Sequence, residues 1–225
     1  MEKIEPRVVV WQSLWTERHE GAVLELLELG RRSARGTITG HDDEAGPFRI
    51  EYEVGWDERW RTAGVNLAVV RGDGQRRLRL AQRNGVWRAS TGDEGEVDEP
   101  GEPDEPDEPD GPDGPDGPRA THGRGEELGF LRGCVDGDIW PTPFTNTLPI
   151  RRLGLAVGER REIDVALIDG VDATVTRASQ AYTRLDRSVF RFESVGSDFV
   201  ADLTVDPTGL VLDYPGLFTR LGDRD

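Results

Sequence analysis

A single cysteine and three histidines among 225 residues exclude several kinds of chemistry at the outset. Cys134 alone cannot close an intramolecular disulfide, so nothing points to an oxidising compartment. His19, His41 and His122 lack any spacing that would bring two of them to one metal ion. No metal and no cofactor are expected. Long apolar runs are scarce as well: near the N-terminus only "VVVW", Val8 to Trp11, is continuous, too short for a signal-peptide core or a membrane span. The expectation is a soluble cytoplasmic chain without an integral membrane segment. There is no phosphate-binding glycine loop, no dinucleotide fingerprint and no G-x-S-x-G elbow, which removes the corresponding nucleotide-dependent and serine-hydrolase readings. Lys3 is the sole lysine, so almost all positive charge is arginine.

Negative charge is in excess, with 44 acidic against 28 basic residues and a net charge of −16. Its location decides its meaning. Residues 93–118, "DEGEVDEPGEPDEPDEPDGPDGPDGP", hold 13 acids and no base; elsewhere 31 acids face 28 bases, a balance of −3. A nucleic-acid partner is not expected, because the tract repels phosphates and no basic cluster offsets it. Within it proline recurs every third residue from Pro100 to Pro118. Three residues is the polyproline II period, and like-charge repulsion extends such a chain further. It cannot bury apolar surface, so residues 93–122 read as a disordered acidic Pro/Gly-rich insertion. Residues 1–92 and 123–225 then supply the N-terminal and C-terminal halves of one β domain.

Both halves carry period-two patterning. In "FRIEYEVGW", Phe48, Ile50, Tyr52, Val54 and Trp56 alternate with Arg49, Glu51, Glu53 and Gly55, and Val65, Leu67 and Val69 continue the pattern. "RGDG" reads as a turn into "RLRLA", and "NG" as a hairpin turn into "VWRA". Later, Ile163, Val165 and Leu167 alternate, as do Thr174, Thr176 and Ala178; Phe190 and Phe192 flank Arg191. "DPTG" separates two further strand-like runs. "GAVLELLELG" fits either a helix or a strand, and its surroundings favour strand. "FRIE" at Phe48 and "FRFE" at Phe190 echo one another ahead of similar strand pairs, a pattern that two similar halves would give and that any two alternating sheets also share.

"WPTPFTNTLPIRRL", Trp140 to Leu153, interrupts the alternation. Its prolines argue against a helix. Its polar groups suit either a rigid connector or a ligand-facing surface. On a strand, Arg151 and Arg152 would point to opposite faces, so at most one could line a pocket. Asp136 and Asp138, Asp57 and Glu58, or Asp213 could supply paired carboxylates for sugar chemistry, but solvated turn or hairpin charges are the favoured reading for most of them.

"TPFTNTLPIRRL" (Thr142–Leu153), "QAYTRL" (Gln180–Leu185) and "GLVLDYPGLFTRL" (Gly209–Leu221) together resemble the bacterial "putative glycolipid-binding" protein family. The resemblance spans nearly the whole chain except about residues 93–125. It implies an all-β fold, a strongly curved antiparallel sheet forming a β-roll or barrel-like domain, and it implies binding of an amphiphile that carries sugar. A curved sheet can enclose an apolar hollow for a lipid chain. Trp11, Trp15, Trp56, Trp60, Trp87 and Trp140, with Tyr52, Tyr182 and Tyr214, offer flat faces for sugar rings. Thr145, Asn146 and Thr147 could bond sugar hydroxyls, Arg151 or Arg152 could fork onto a charged head group, and Asp213 ends a strand at the rim. Core packing and turn formation are the plain alternatives for each.

Non-catalytic binding of a glycolipid or other amphiphile is the leading reading. An enzyme acting on a sugar or lipid derivative through paired carboxylates is the second. A scaffold whose acidic tract recruits a partner is the third. A homo-oligomer is compatible with all three.

Overall fold

The computed structural model describes residues 1–13, 23–42, 46–72, 74–90 and 125–224. The expected disorder of residues 93–122 lies outside these, as do Trp15, His19 and His122. The N-terminal half runs as β1 (Arg7–Ser13), β2 (Val23–Leu29), β3 (Ser33–Asp42), β4 (Gly46–Trp56), β5 (Thr62–Arg71), β6 (Gly74–Arg83) and β7 (Val86–Ser90), and the short β8 (Glu126–Glu127), in sequence part of the C-terminal half, pairs with β7. The C-terminal half runs as β9 (Asp136–Trp140), β10 (Arg160–Asp169), β11 (Thr174–Arg184), β12 (Val189–Ser194), β13 (Val200–Val205), β14 (Val211–Tyr214) and β15 (Phe218–Arg224). One α-helix, α1 (Thr147–Leu153), is found among the described residues.

All fifteen strands belong to one sheet, ordered β8-β7-β6-β5-β4-β3-β2-β1-β15-β14-β13-β12-β11-β10-β9. Each strand lies beside its neighbours in sequence, β1 pairs with β15, and the sheet is open between β8 and β9. The molecule is thus all-β, as its alternation implies. Every pairing is antiparallel except β9 with β10, and a parallel pair needs a crossover connection. Residues 141–159, with α1 among them, make that crossover. The sheet curls until the β9 edge leans on the N-terminal half. There the Thr62 amide donates to the Val135 carbonyl at 3.0 Å, and the Gly137 amide donates to Thr62 Oγ1 at 2.8 Å. The Trp87 indole N–H donates to the Cys134 carbonyl at 2.8 Å.

Local chemistry accounts for these elements. Phe48, Ile50, Tyr52, Val54 and Trp56 all point inward from β4. Asn84 and Gly85 both have positive φ, 52° and 76°, which gives the β6–β7 hairpin the twist that a two-residue turn needs. "VLELLEL" is a strand because β1 and β3 pair with it on both sides. Its register sends Leu27 and Leu29 inward, leaves Leu24 and Leu26 half exposed, and buries Glu25.

Two apolar clusters fill the interior. One is tightly filled around Trp11, Trp56, Trp87, Ile38 and Ile50, with Ile139, Phe144 and Leu148 joining from the crossover side. The other gathers Tyr182, Phe190, Phe192, Leu203, Val211, Tyr214 and Phe218 from the C-terminal strands.

One expectation is corrected. "TPFTNTLPIRRL" is not free of helix: Phe144–Asn146 forms a 3-10 turn that leads into α1. Pro149 is the third helical residue, within the first turn, where backbone N–H groups have no intrahelical acceptor and proline's lack of one costs little. Gly154 ends the helix with φ 56°, a left-handed cap. Arg151 and Arg152 are therefore helical residues, and the opposite-face rule of a strand does not apply to them.

Gly36 on β3 faces the Tyr52 ring so closely that a methyl group there would sit 2.1 Å from Tyr52 Cε1. Tyr52 is held by Glu25 through its hydroxyl and cannot swing away cheaply. Gly36→Ala should lower stability by about 1–3 kcal/mol, read as a lower urea midpoint.

Candidate functional site

A cleft of about 430 Å³ opens on the inner side of the C-terminal strands. Its floor comes from β9 and the crossover: Asp138, Ile139, Trp140, Thr142 and Asn146. Its wall is a run of aromatic rings. Trp140 meets Phe218 edge-on at 5.9 Å between centroids, and Phe218 meets Tyr214 at 6.1 Å. Tyr214 then contacts Phe192 at 6.1 Å and Phe199 at 6.2 Å. Period-two alternation puts these residues together: Phe192 and Tyr214 lie on the inward faces of β12 and β14, and the tight Tyr214–Phe218 turn presents Leu217 and Phe218 beside them.

The polar end is built from side chains that hold one another. Thr145 Oγ1 donates to Asp138 Oδ1 at 2.7 Å, and Gln180 Nε2 donates to Asp138 Oδ2 at 2.5 Å. Burial pushes the Asp138 carboxyl up, and these two hydrogen bonds oppose the shift without cancelling it. The Tyr182 hydroxyl donates to Asn146 Oδ1 at 2.8 Å. Burial, and secondarily the Asp138 charge, raises the Tyr214 phenol, so it stays a neutral donor.

Two further buried acids flank the cleft. Asp136, two residues from Asp138 on β9, accepts both prongs of Arg152, Nε at 2.9 Å and Nη2 at 2.5 Å. Burial still pushes its carboxyl up, against the Arg152 hydrogen bonds and charge, with the Asp138 charge adding to the rise. Glu25 lies on the other side of Thr142. Thr142 Oγ1 donates to Glu25 Oε1 at 2.8 Å, the Tyr52 hydroxyl bonds the same oxygen, and Oε2 has no partner. Burial pushes Glu25 up to about 7, while the Tyr52 and Thr142 hydrogen bonds pull the other way.

The residues singled out in the sequence divide into three groups. Asn146 and Tyr214 line the cleft. Thr145 and Tyr182 stand behind it, bonding Asp138 and Asn146, and Thr147 is buried in α1. Trp56 is core, stacked on Trp60 at 5.5 Å, and Arg151 lies 4.2 Å over the Trp60 ring away from the cleft. Arg151 also donates to the carbonyls of Thr208 and Glu2. Neither it nor Arg152 lines the cleft. Asp213 accepts from Thr219 across the β14–β15 turn at 3.0 Å. The paired-carboxylate reading of Asp136 and Asp138 meets an obstacle, since Asp136 is almost fully buried and bound to Arg152 on both oxygens.

Trp140, one of the rings singled out for sugar stacking, lines the cleft, whereas sequence reasoning passed over Gln180, Phe192, Phe199, Leu217 and Phe218 as site residues. Four of these five sit in motifs already noted: Gln180 in "QAYTRL", Phe192 in "FRFE", and Leu217 and Phe218 in "GLVLDYPGLFTRL". Among the described residues no cluster of three or more carboxylate, thiol or imidazole groups could hold a metal. No helix among them is long and apolar enough to cross a membrane.

The family model described as "Putative glycolipid-binding" matches residues 8–220. The chain belongs to that family. A crystal structure of a DUF1089 family protein from Pseudomonas aeruginosa is similar at 36% identity and a TM-score of 0.73, over 92% of this chain and 96% of that one. No protein of curated function matches.

Arg152→Ala leaves Asp136 buried without its cation and should cost about 3–5 kcal/mol, measured by urea denaturation. Joint replacement of Asp136 and Arg152 by Asn and Met should recover most of the loss. Glu25 has a raised folded pKa, so its contribution to stability is full below the unfolded value of 4.5 and is lost as pH rises through about 7. Glu25→Gln should flatten the stability profile across that window, removing a fall of up to about 3 kcal/mol.

Proposed function

We propose that this protein binds a glycolipid-like amphiphile in the cleft, with its chain along the aromatic wall and its sugar at the polar floor. The observation that carries this reading is the cleft's division: Phe192, Phe199, Tyr214, Leu217 and Phe218 on one side, Asp138, Thr142, Asn146 and Gln180 on the other. Its volume falls in the range of roughly 300–1,000 Å³ usual for small-molecule sites. Trp140 and Tyr214 pair an apolar ring with a polar tip, which suits the boundary between chain and head. Phe199 is 39% exposed although it packs on Phe192 and Tyr214, a costly placement in water and a favourable one beside a ligand chain. Family membership agrees with an amphiphile as ligand. The role is carriage or sequestration rather than turnover, since Asp136, the carboxylate paired with Asp138 on β9, is engaged on both oxygens by Arg152.

The direct test is calorimetric titration of the full chain with dodecyl glucoside below its micelle concentration. Saturable binding at one site is expected, and Phe199→Ala should weaken it about tenfold, roughly the 1–2 kcal/mol of a lost aromatic contact. Because Phe199 is partly exposed, its removal should leave the denaturation midpoint nearly unchanged. Absence of saturable binding, or a Phe199→Ala variant as tight as the parent, would remove the cleft from consideration.

A further inference from the structure

The floor of the cleft has acceptors to spare and no cation. Asp138 receives one hydrogen bond on each oxygen, both from neutral donors, although each oxygen can accept two. Gln180, only 4% exposed, spends its amide N–H on Asp138, and its carbonyl oxygen Oε1 has no partner at all. Asp169, also lining the cleft, takes the amides of Val171 and Asp172 on Oδ1. No arginine, lysine or histidine is among the lining residues. The two arginines of α1 are occupied elsewhere: Arg152 by Asp136, Arg151 by the Thr208 and Glu2 carbonyls and the Trp60 face. Both remaining needs, an opposite charge for a buried carboxylate and a donor for a buried amide carbonyl, are met by one chemical group. An ammonium has three donors, no acceptor and a positive charge. A phosphate or sulfate head would meet the reverse, acids and no donor of matching charge.

We infer that the head group seated in this cleft carries a protonated amine, as on an unacetylated amino sugar, held between Asp138 and the free carbonyl of Gln180. This rests on the amphiphile reading and specifies its ligand: the chain lies along the aromatic wall, and the amine supplies the donors and charge that the floor lacks. Asp138 and Gln180 then set specificity, excluding anionic lipids by charge and by the absence of a cationic donor from the lining.

The inference is tested by titrating the full chain with four dodecyl probes that share one chain: the glucoside, the 2-amino-2-deoxyglucoside, the simple amine and the phosphate. The aminoglucoside should bind at least about tenfold tighter than the glucoside, the scale of a charge-assisted bond over a neutral one. The phosphate should bind weakest. Asp138→Asn should abolish the preference for the aminoglucoside over the glucoside. Equal affinity for the two glycosides, tighter binding of the phosphate, or a preference that survives in Asp138→Asn overturns the inference. The simple amine separates the two levels: the amine bound as tightly as the aminoglucoside supports the inference and removes the sugar, whereas the glucoside bound as tightly as either amine keeps the amphiphile site and removes the amine. The comparison of probes on the parent chain decides the matter even if Asp138→Asn fails to fold.

Discussion

Arg152 reaching from α1 to Asp136 on β9 is the constraint on which the rest of the site depends. A carboxylate so deeply buried is unfavourable unless its charge is matched, and the bidentate guanidinium matches both charge and geometry. The pair fixes the end of the crossover helix against the strand from which the crossover began. Everything between those two anchors, Trp140 to Asn146, is thereby held in a closed loop, and this loop is the cleft floor. Two residues along β9, on the same face, Asp138 inherits its position from the same anchor. The bond also explains why the adjacent arginines have different work. The i and i+1 positions of a helix diverge by about 100°, so when Arg152 turns to β9, Arg151 turns to Trp60 and the Glu2 and Thr208 carbonyls.

The sheet order gives that anchor its leverage. A meander in which the terminal strands pair leaves one seam, between β8 and β9, and there the curled sheet closes only by side-chain and loop contacts. Two tryptophans bridge the halves by donating to backbone carbonyls: Trp87 to Cys134 near the seam, Trp11 to Val211 across the interior. The N-terminal half is filled by their rings, while the C-terminal half packs its rings around an opening. The hollow is thus confined to one half of the interior, where Phe192, Tyr214 and Phe218 leave space against β9 rather than interdigitating with it.

Period-two alternation made most of the strands legible, because in a half-buried sheet the side-chain period is the backbone period. "FRIEYEVGW" reads directly as β4, and "NG" as the turn of the β6–β7 hairpin. "GAVLELLELG" was ambiguous in sequence because leucines at spacing two and three satisfy both periods; pairing with β1 and β3 resolves it. The helix escaped detection since proline was weighed without regard to position, and a first-turn proline is harmless. The site was legible only in part. Tyr214 and Asn146 carry recognisable chemistry in the chain, but Gln180 and Phe192 become neighbours of Asp138 or Tyr214 only through strand pairing and curling, and no local pattern encodes that. The arginines misled for the same reason: their charge was visible, their partners Asp136 and Trp60 were not.

Glu25 shows how far the molecule departs from a packing optimum near the cleft. Its position on β2 is an inward one, flanked by Leu27 and Leu29 on the same face, and an apolar residue there would avoid the desolvation that pushes its carboxyl up to about 7. Its Oε1 takes hydrogen bonds from Tyr52 and Thr142 while Oε2 has none, so the network is incomplete, an arrangement less stable than either a satisfied one or none. Thr142 is the common member: it lines the cleft on one side and bonds Glu25 on the other, and its Oγ1 also accepts the Phe144 amide at 3.0 Å. Through it the rigid N-terminal half fixes a polar group on the floor. Two buried acids without cations, Glu25 and Asp138, thus lie on either side of the loop that Arg152 holds. Such sites lower stability and are kept where a protein must present polar groups in an apolar surround. Their convergence on this loop sets the cleft apart from the interior around Trp11 and Trp87, where indole N–H groups are satisfied and rings fill the space.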